Sequence, residues 1–150
     1  MAMNWLKENI TKARENLTAE VAKFKNRTFM EAVVAGCALV AAADGTVDAS
    51  EKQKMTAFLE RSEEMKHFDI RQVIEVFNKT VGDFEFDQAI GKANALKTIA
   101  KVRDKDDQAR MVVRVVCAIG AADGDFDDDE KAVVREIAQE LGLKPEEFDL

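Results

Sequence analysis

Two segments of this chain concentrate groups that can hold a cation. The run Asp44-Gly45-Thr46-Val47-Asp48-Ala49-Ser50-Glu51-Lys52 recurs at a fixed offset of 79 as Asp123-Gly124-Asp125-Phe126-Asp127-Asp128-Asp129-Glu130-Lys131. Both have the form Asp-Gly-x-apolar-Asp-x-x-Glu-Lys, and much of that form serves helix ends. Gly45 and Gly124 suit the position just past a helix C-terminus, where positive φ is common. Asp48 with Glu51, and Asp127 with Glu130, have the spacing of a capping box, and Val47 and Phe126 stand where hydrophobic staples do. Asp44 and Asp123 are not explained this way, because a carboxylate at a helix C-terminus is disfavoured by the helix dipole. The second loop also places six carboxylates within residues 123–130, a density that resists folding unless positive charge is brought in. Oxygen-only donors suit hard divalent ions, calcium better than magnesium because it accepts irregular geometry, whereas zinc asks for nitrogen or sulfur. The spacing is not that of an EF-hand, which needs its Gly and its last Glu much later in the loop. Two readings stand side by side: a cation site, and a solvated, capped acidic loop.

Other chemistry is sparse. The chain has one histidine, His67, expected at a helix end or in the loop after it, and two cysteines, Cys37 and Cys117, each flanked by aliphatic residues. No zinc finger, His-based triad or CxxC pair can be assembled from these. The cysteines sit one residue out of register in the repeat and are expected to be buried small hydrophobes in a reducing compartment. The chain is therefore expected not to be an enzyme. A metal-dependent hydrolase, with clustered carboxylates holding two ions, is the weakest reading, because no nucleophile or base lies outside the cluster.

The elements that position the loops are helical. In 150 residues there are one Pro, seven Gly and no Tyr, with 47% hydrophobic and 34% charged side chains, which describes a single all-α domain spanning residues 1–150. Periodicity predicts about seven helices in one bundle. The first, at about 4–25, is amphipathic through Leu6, Ile10, Ala13, Leu17, Val21 and Phe24. The second (about 28–43) and the sixth (about 106–122) are apolar nearly all round, as central helices are. The third follows Asp48 and uses Met55, Phe58 and Leu59. The fourth presents Ile70, Val73, Ile74, Phe77 and Val81 to the core. The fifth presents Phe86, Ile90, Ala93, Leu96 and Ile99. The seventh runs from Asp128 to Leu141, with Gly142 as a left-handed stop and Pro145 opening a final turn. Val33 and Val34 fall on Val112 and Val113 in the repeat, and Phe58 on Ile137. The second and third helices and the sixth and seventh thus make two pseudo-symmetric hairpins, with the fourth and fifth inserted between them.

Charge narrows the partners. The net charge is −7, yet residues 1–27 carry six bases against three acids, while residues 104–150 carry fourteen acids against six bases. An acidic body repels phosphate, so no nucleic acid is expected, and cations or basic protein surfaces are favoured. The basic start and Trp5 leave peripheral membrane contact open. The stretch Ala32–Ala43 is too short to span a bilayer and too far along the chain to act as a secretion signal. The expected location is the cytoplasm, including the inner face of the membrane.

The same residues carry a resemblance. The paired Asp-Gly loops, Glu51-Lys52-Gln53-Lys54-Met55, Arg61-Ser62-Glu63-Glu64-Met65-Lys66 and the run from Asp123 to Lys131 are similar to the tellurite-resistance TerB family over essentially the whole chain. A related domain of membrane-anchored DnaJ-like co-chaperones shares the loop pattern. The resemblance implies an all-helical fold with two helical repeats and a place in a bacterial tellurite-resistance and stress-response system beside the membrane protein TerC. It also implies a metal site formed by Asp44, Asp48 and Glu51 in the first loop and Asp123, Asp127 and Glu130 in the second. Ala49-Ser50 stands where the second loop has Asp128-Asp129, so the two loops need not bind equally. The functional expectation is a non-enzymatic adaptor that binds a divalent cation, calcium or magnesium. The alternative is an acidic protein-interaction module that needs no metal.

Overall fold

The computed structural model describes residues 24, 26–43, 49–61, 65–122 and 126–150. Among them are six α-helices: α1 (Arg27–Ala41), α2 (Ala49–Arg61), α3 (Ile70–Phe86), α4 (Gln88–Ala100), α5 (Asp106–Ala122) and α6 (Asp128–Glu140), followed by a 3-10 turn at Pro145–Phe148. They correspond to the second to seventh predicted helices. The first, at about 4–25, lies outside the described residues except for Phe24, and Gly45 and Gly124 also lie outside them. No strand occurs among the described residues.

α1 is the axis of the fold. Asn26 caps it, its side chain accepting from the Phe29 N–H at 2.8 Å, and every residue from Ala32 to Val40 is buried. It packs against each of the other five helices. Small residues make that possible: a Cβ added at Gly36 would stand 2.8 Å from Val116 Cγ2, so α1 and α5 cross with no room for a larger side chain unless Val116 shifts. The repeat is visible in this core, where Val33, Val34, Val112 and Val113 are all fully buried.

α3 and α4 join through Asp87 alone. Its N–H donates to the Asp83 carbonyl at 3.0 Å, and its side chain accepts from the Ile90 N–H at 3.0 Å. One residue thus ends one helix and caps the next. This tight corner corrects the expected face of the fifth predicted helix. Phe86 is the last residue of α3 and is 81% exposed, and Ile90 is 45% exposed. Gly91 and Ala95 face the core together with Ile99, which was expected there. The cause is steric: a Cβ at Gly91 would lie 2.6 Å from Phe84 Cα, so α4 turns its smallest residue to α3 and the larger ones outward. Ile70, expected in the core, is also exposed at the start of α3.

The two hairpins, α1–α2 and α5–α6, differ in how firmly their second helices are held. α6 packs on α1, α4 and α5, whereas α2 packs on α3 and only lightly on α1. A surface ion pair accompanies each: Lys92 to Glu136 at 2.7 Å between α4 and α6, and Lys52 to Glu85 at 3.1 Å between α2 and α3. Such exposed pairs contribute at most about 1 kcal/mol each. The C-terminal turn is tied back by Arg110, which bonds both Asp106 and Glu147. Gly142 adopts φ +74°, the predicted left-handed stop.

Candidate functional site

A cavity of about 340 Å³ lies between α1, α2, α5 and the first turn of α6. Its floor is apolar: Cys37 and Val40 from α1, Met55 and Phe58 from α2, Val116 and Ile119 from α5. Its rim is charged, with Lys54 and Arg61 on α2 and Asp127, Asp129 and Glu130 at the start of α6. Ala43, just before the first acidic loop, and Gly120 and Asp127, on either side of the second, also line it. Residues that flank both loops in the chain therefore line one cavity.

Of the six expected ligands, Asp127 and Glu130 are described in full. They form the predicted capping box: Asp127 Oδ1 accepts from the Glu130 N–H at 2.8 Å, and Glu130 Oε1 accepts from the Asp127 N–H at 3.2 Å. The box starts α6 at Asp128 and holds both carboxylates at the cavity rim. Three acids in the first turn of α6, Asp128, Asp129 and Glu130, also suit the positive end of its dipole. Phe126, ahead of the cap, lays its ring over Gly120 in the last turn of α5 and so closes the α5–α6 hairpin. Glu51 falls in the first turn of α2 by its backbone. Asp44, Asp48 and Asp123 lie outside the described residues.

The rim carboxylates of Asp127, Asp129 and Glu130 are oxygen donors of the kind a hard cation takes, and they share the rim with the cationic Lys54 and Arg61. They fall short in number: among the described residues no three His, Cys, Asp or Glu side chains converge closely enough to hold a metal ion. A complete site would need the acids of both loops.

Both cysteines are buried, as expected. Burial pushes the Cys117 thiol from 9.0 up to about 12, because the thiolate loses its hydration there. Cys37, though buried, reaches the cavity floor, a position that the aliphatic flanks in sequence did not signal. His67 lies in the turn between α2 and α3, half-buried and away from the cavity lining. Sequence reading also missed Lys54 and Arg61 as rim residues. They lie on the charged face of a helix whose side toward the cavity is set only by packing.

Comparisons with known proteins agree with the resemblance. The family model described as "Tellurite resistance protein TerB" matches residues 30–150, a narrower span than the whole-chain similarity expected. A "Tellurium resistance protein TerB" from Alcaligenes sp. is 46% identical over 110 residues, covering 73% of this chain and 90% of that protein. No solved structure matches. Among the described residues no helix is long and apolar enough to cross a membrane.

Proposed function

This chain belongs to the TerB family of tellurite-resistance proteins, and from that premise we propose that it is a non-enzymatic, cation-responsive adaptor. One observation carries the reading: residues adjoining both acidic loops line a single cavity. The loops leave α1 and α5, the two helices at the centre of the fold, and enter α2 and α6. Asp127 and Glu130 line that cavity, and the reading expects Asp44, Asp48, Glu51 and Asp123 to join them there. A divalent ion, calcium or magnesium, would supply the charge that offsets their mutual repulsion. The chain's own part is to fix the acids in place: Asp127 and Glu130 are held by the capping box, and α6 is held by its packing on α1, α4 and α5. Clamping the loops would fix the relative positions of α2 and α6 and so the surface offered to a partner, a membrane protein such as TerC among them.

A second reading, an acidic interaction module without metal, is favoured by the capping box itself, since it accounts for Asp127 and Glu130 with no ion. Isothermal titration of chelator-stripped protein with calcium, magnesium and zinc separately decides between them. The adaptor reading expects saturable binding of a hard cation with a rise in Tm, both lost in an Asp44→Asn, Asp123→Asn double variant. A stoichiometry of one ion per chain would mark a shared site. Absence of heat and an unchanged Tm would leave the metal-free module.

A further inference from the structure

Among the described residues three large hydrophobic side chains are exposed, and two of them, Phe86 at 81% and Ile90 at 45%, flank the one-residue corner between α3 and α4. From Ile90 an exposed stripe continues along α4 at helical spacing through Ala93 to Lys97, with Ala89 beside it. The two ends of this face carry opposite charge. Asp83, Glu85 and Asp87 surround the corner, and Asp83 is held beside α4 by the Asn94 side-chain amide, which donates to it at 3.4 Å. At the far end Lys97 and Lys101 are exposed.

We propose that this face of α4 pairs with the same face of a second copy of the chain, antiparallel, about a two-fold axis near Ala93. The charge pattern selects both the partner and the direction. Antiparallel pairing lays the acidic corner of each copy on the lysines of the other, whereas parallel pairing would set like charges side by side. Near the axis, Ala89 and Ala93 are small enough to let the two helices approach closely. Ile90 and Lys97 lie about 5 Å along the helix on either side of Ala93, so Ile90 of one copy faces the methylene stem of Lys97 of the other. Phe86, beyond Ile90, reaches the level of Lys101 and loses its contact with water in the same way. α4 is 13 residues long, about 20 Å at the usual rise, which places the contact at the small end of specific interfaces. The pairing is therefore weak and set by concentration. α4 supplies no residue to the cavity between α1, α2, α5 and α6, so a pair keeps both cavities and is bivalent toward any partner that binds there.

The test is sedimentation velocity of the full chain in chelator, over concentrations from micromolar to near-millimolar. A reversible rise from 16.7 kDa toward twice that mass is expected. Phe86→Ser and Lys97→Glu, both at exposed positions, should each raise the dissociation constant roughly tenfold or more, and added salt should raise it as well. Ala93→Cys puts a thiol beside the axis and should join two chains by a disulfide when diamide is added. It should do so faster than Gln72→Cys, an exposed site on α3 away from this face, while buried Cys37 and Cys117 are shielded from the reagent. Circular dichroism and Tm check that the variants fold, and should Phe86→Ser fail to, Lys97→Glu and the crosslink carry the test. The mass of one chain at every concentration would overturn the proposal. So would a dimer that neither surface variant weakens and whose Ala93→Cys form crosslinks no faster than Gln72→Cys, because the copies would then meet elsewhere. The cation reading stands or falls separately, since calcium heat is measured at a cavity that shares no residue with α4.

Discussion

A methyl group at position 91 has no space to occupy. The atom it would meet, Phe84 Cα at 2.6 Å, belongs to the backbone of α3 and cannot yield as a side-chain tip does. Gly91→Ala is therefore expected to cost about 1–3 kcal/mol, read as a fall in Tm. Gly82, on the exposed side of α3 with nothing within 4 Å of its added Cβ, is the contrasting case. Gly82→Ala is expected to stabilise by up to about 1 kcal/mol through helix propensity alone. The sequence distinguishes these two glycines poorly, since both sit inside helical patterns and only the approach of α4 to α3 separates them. The Cys117 thiol has a comparable hidden dependence. Its folded pKa is raised to about 12 from 9.0, so above pH 9 the unfolded chain releases a proton that the folded chain keeps. Stability from this group is full below pH 9 and declines as pH rises toward 12. Cys117→Ala should flatten the loss of Tm across that window relative to the parent, a comparison that subtracts the lysines titrating there in both proteins.

At the level of helices, the start of α6 is where the helix cap and the proposed cation site would use the same groups. Asp127→Ala removes the cap and is expected to cost about 1 kcal/mol in urea-induced unfolding. Glu130→Gln keeps the reciprocal hydrogen bond, because an amide oxygen accepts as a carboxylate oxygen does, but removes the charge. It should lower the metal-free Tm less than Asp127→Ala does, by the lost dipole interaction, while weakening calcium binding in the titration, which separates the cap from the ion. This element was legible in the residues: Asp127 at the cap, Glu130 three positions on, Gly142 at the stop and Pro145 opening the last turn all lie where spacing put them. The limits of α5, Asp106–Ala122, were equally clear, because an apolar run framed by acids and an Asp-Gly loop admits few other boundaries. α4 was not. Phe86 and Ile90 have the spacing of a core face, but the one-residue corner at Asp87 and the contact of Gly91 with Phe84 rotate that face outward. Of the candidate site, the acids could be named from the repeat. The cavity they surround could not, since it arises from how loosely α2 sits compared with α6, and the repeat treats the two alike.

For the whole molecule, the position of α1 decides how the chain comes apart. It touches all five other helices, and α2 touches chiefly α3. α2 can therefore lift away at the expense of few buried contacts, while α1 can be uncovered only by dismantling the bundle. Amide hydrogen exchange turns this into two clocks in one sample. Deuterium should enter the α1 backbone only at the rate of global unfolding, and enter α2 much sooner through a local opening. An ion that draws the two acidic loops together would slow the α2 clock first. The α1 clock would move only by the amount that the ion adds to the stability of the whole fold.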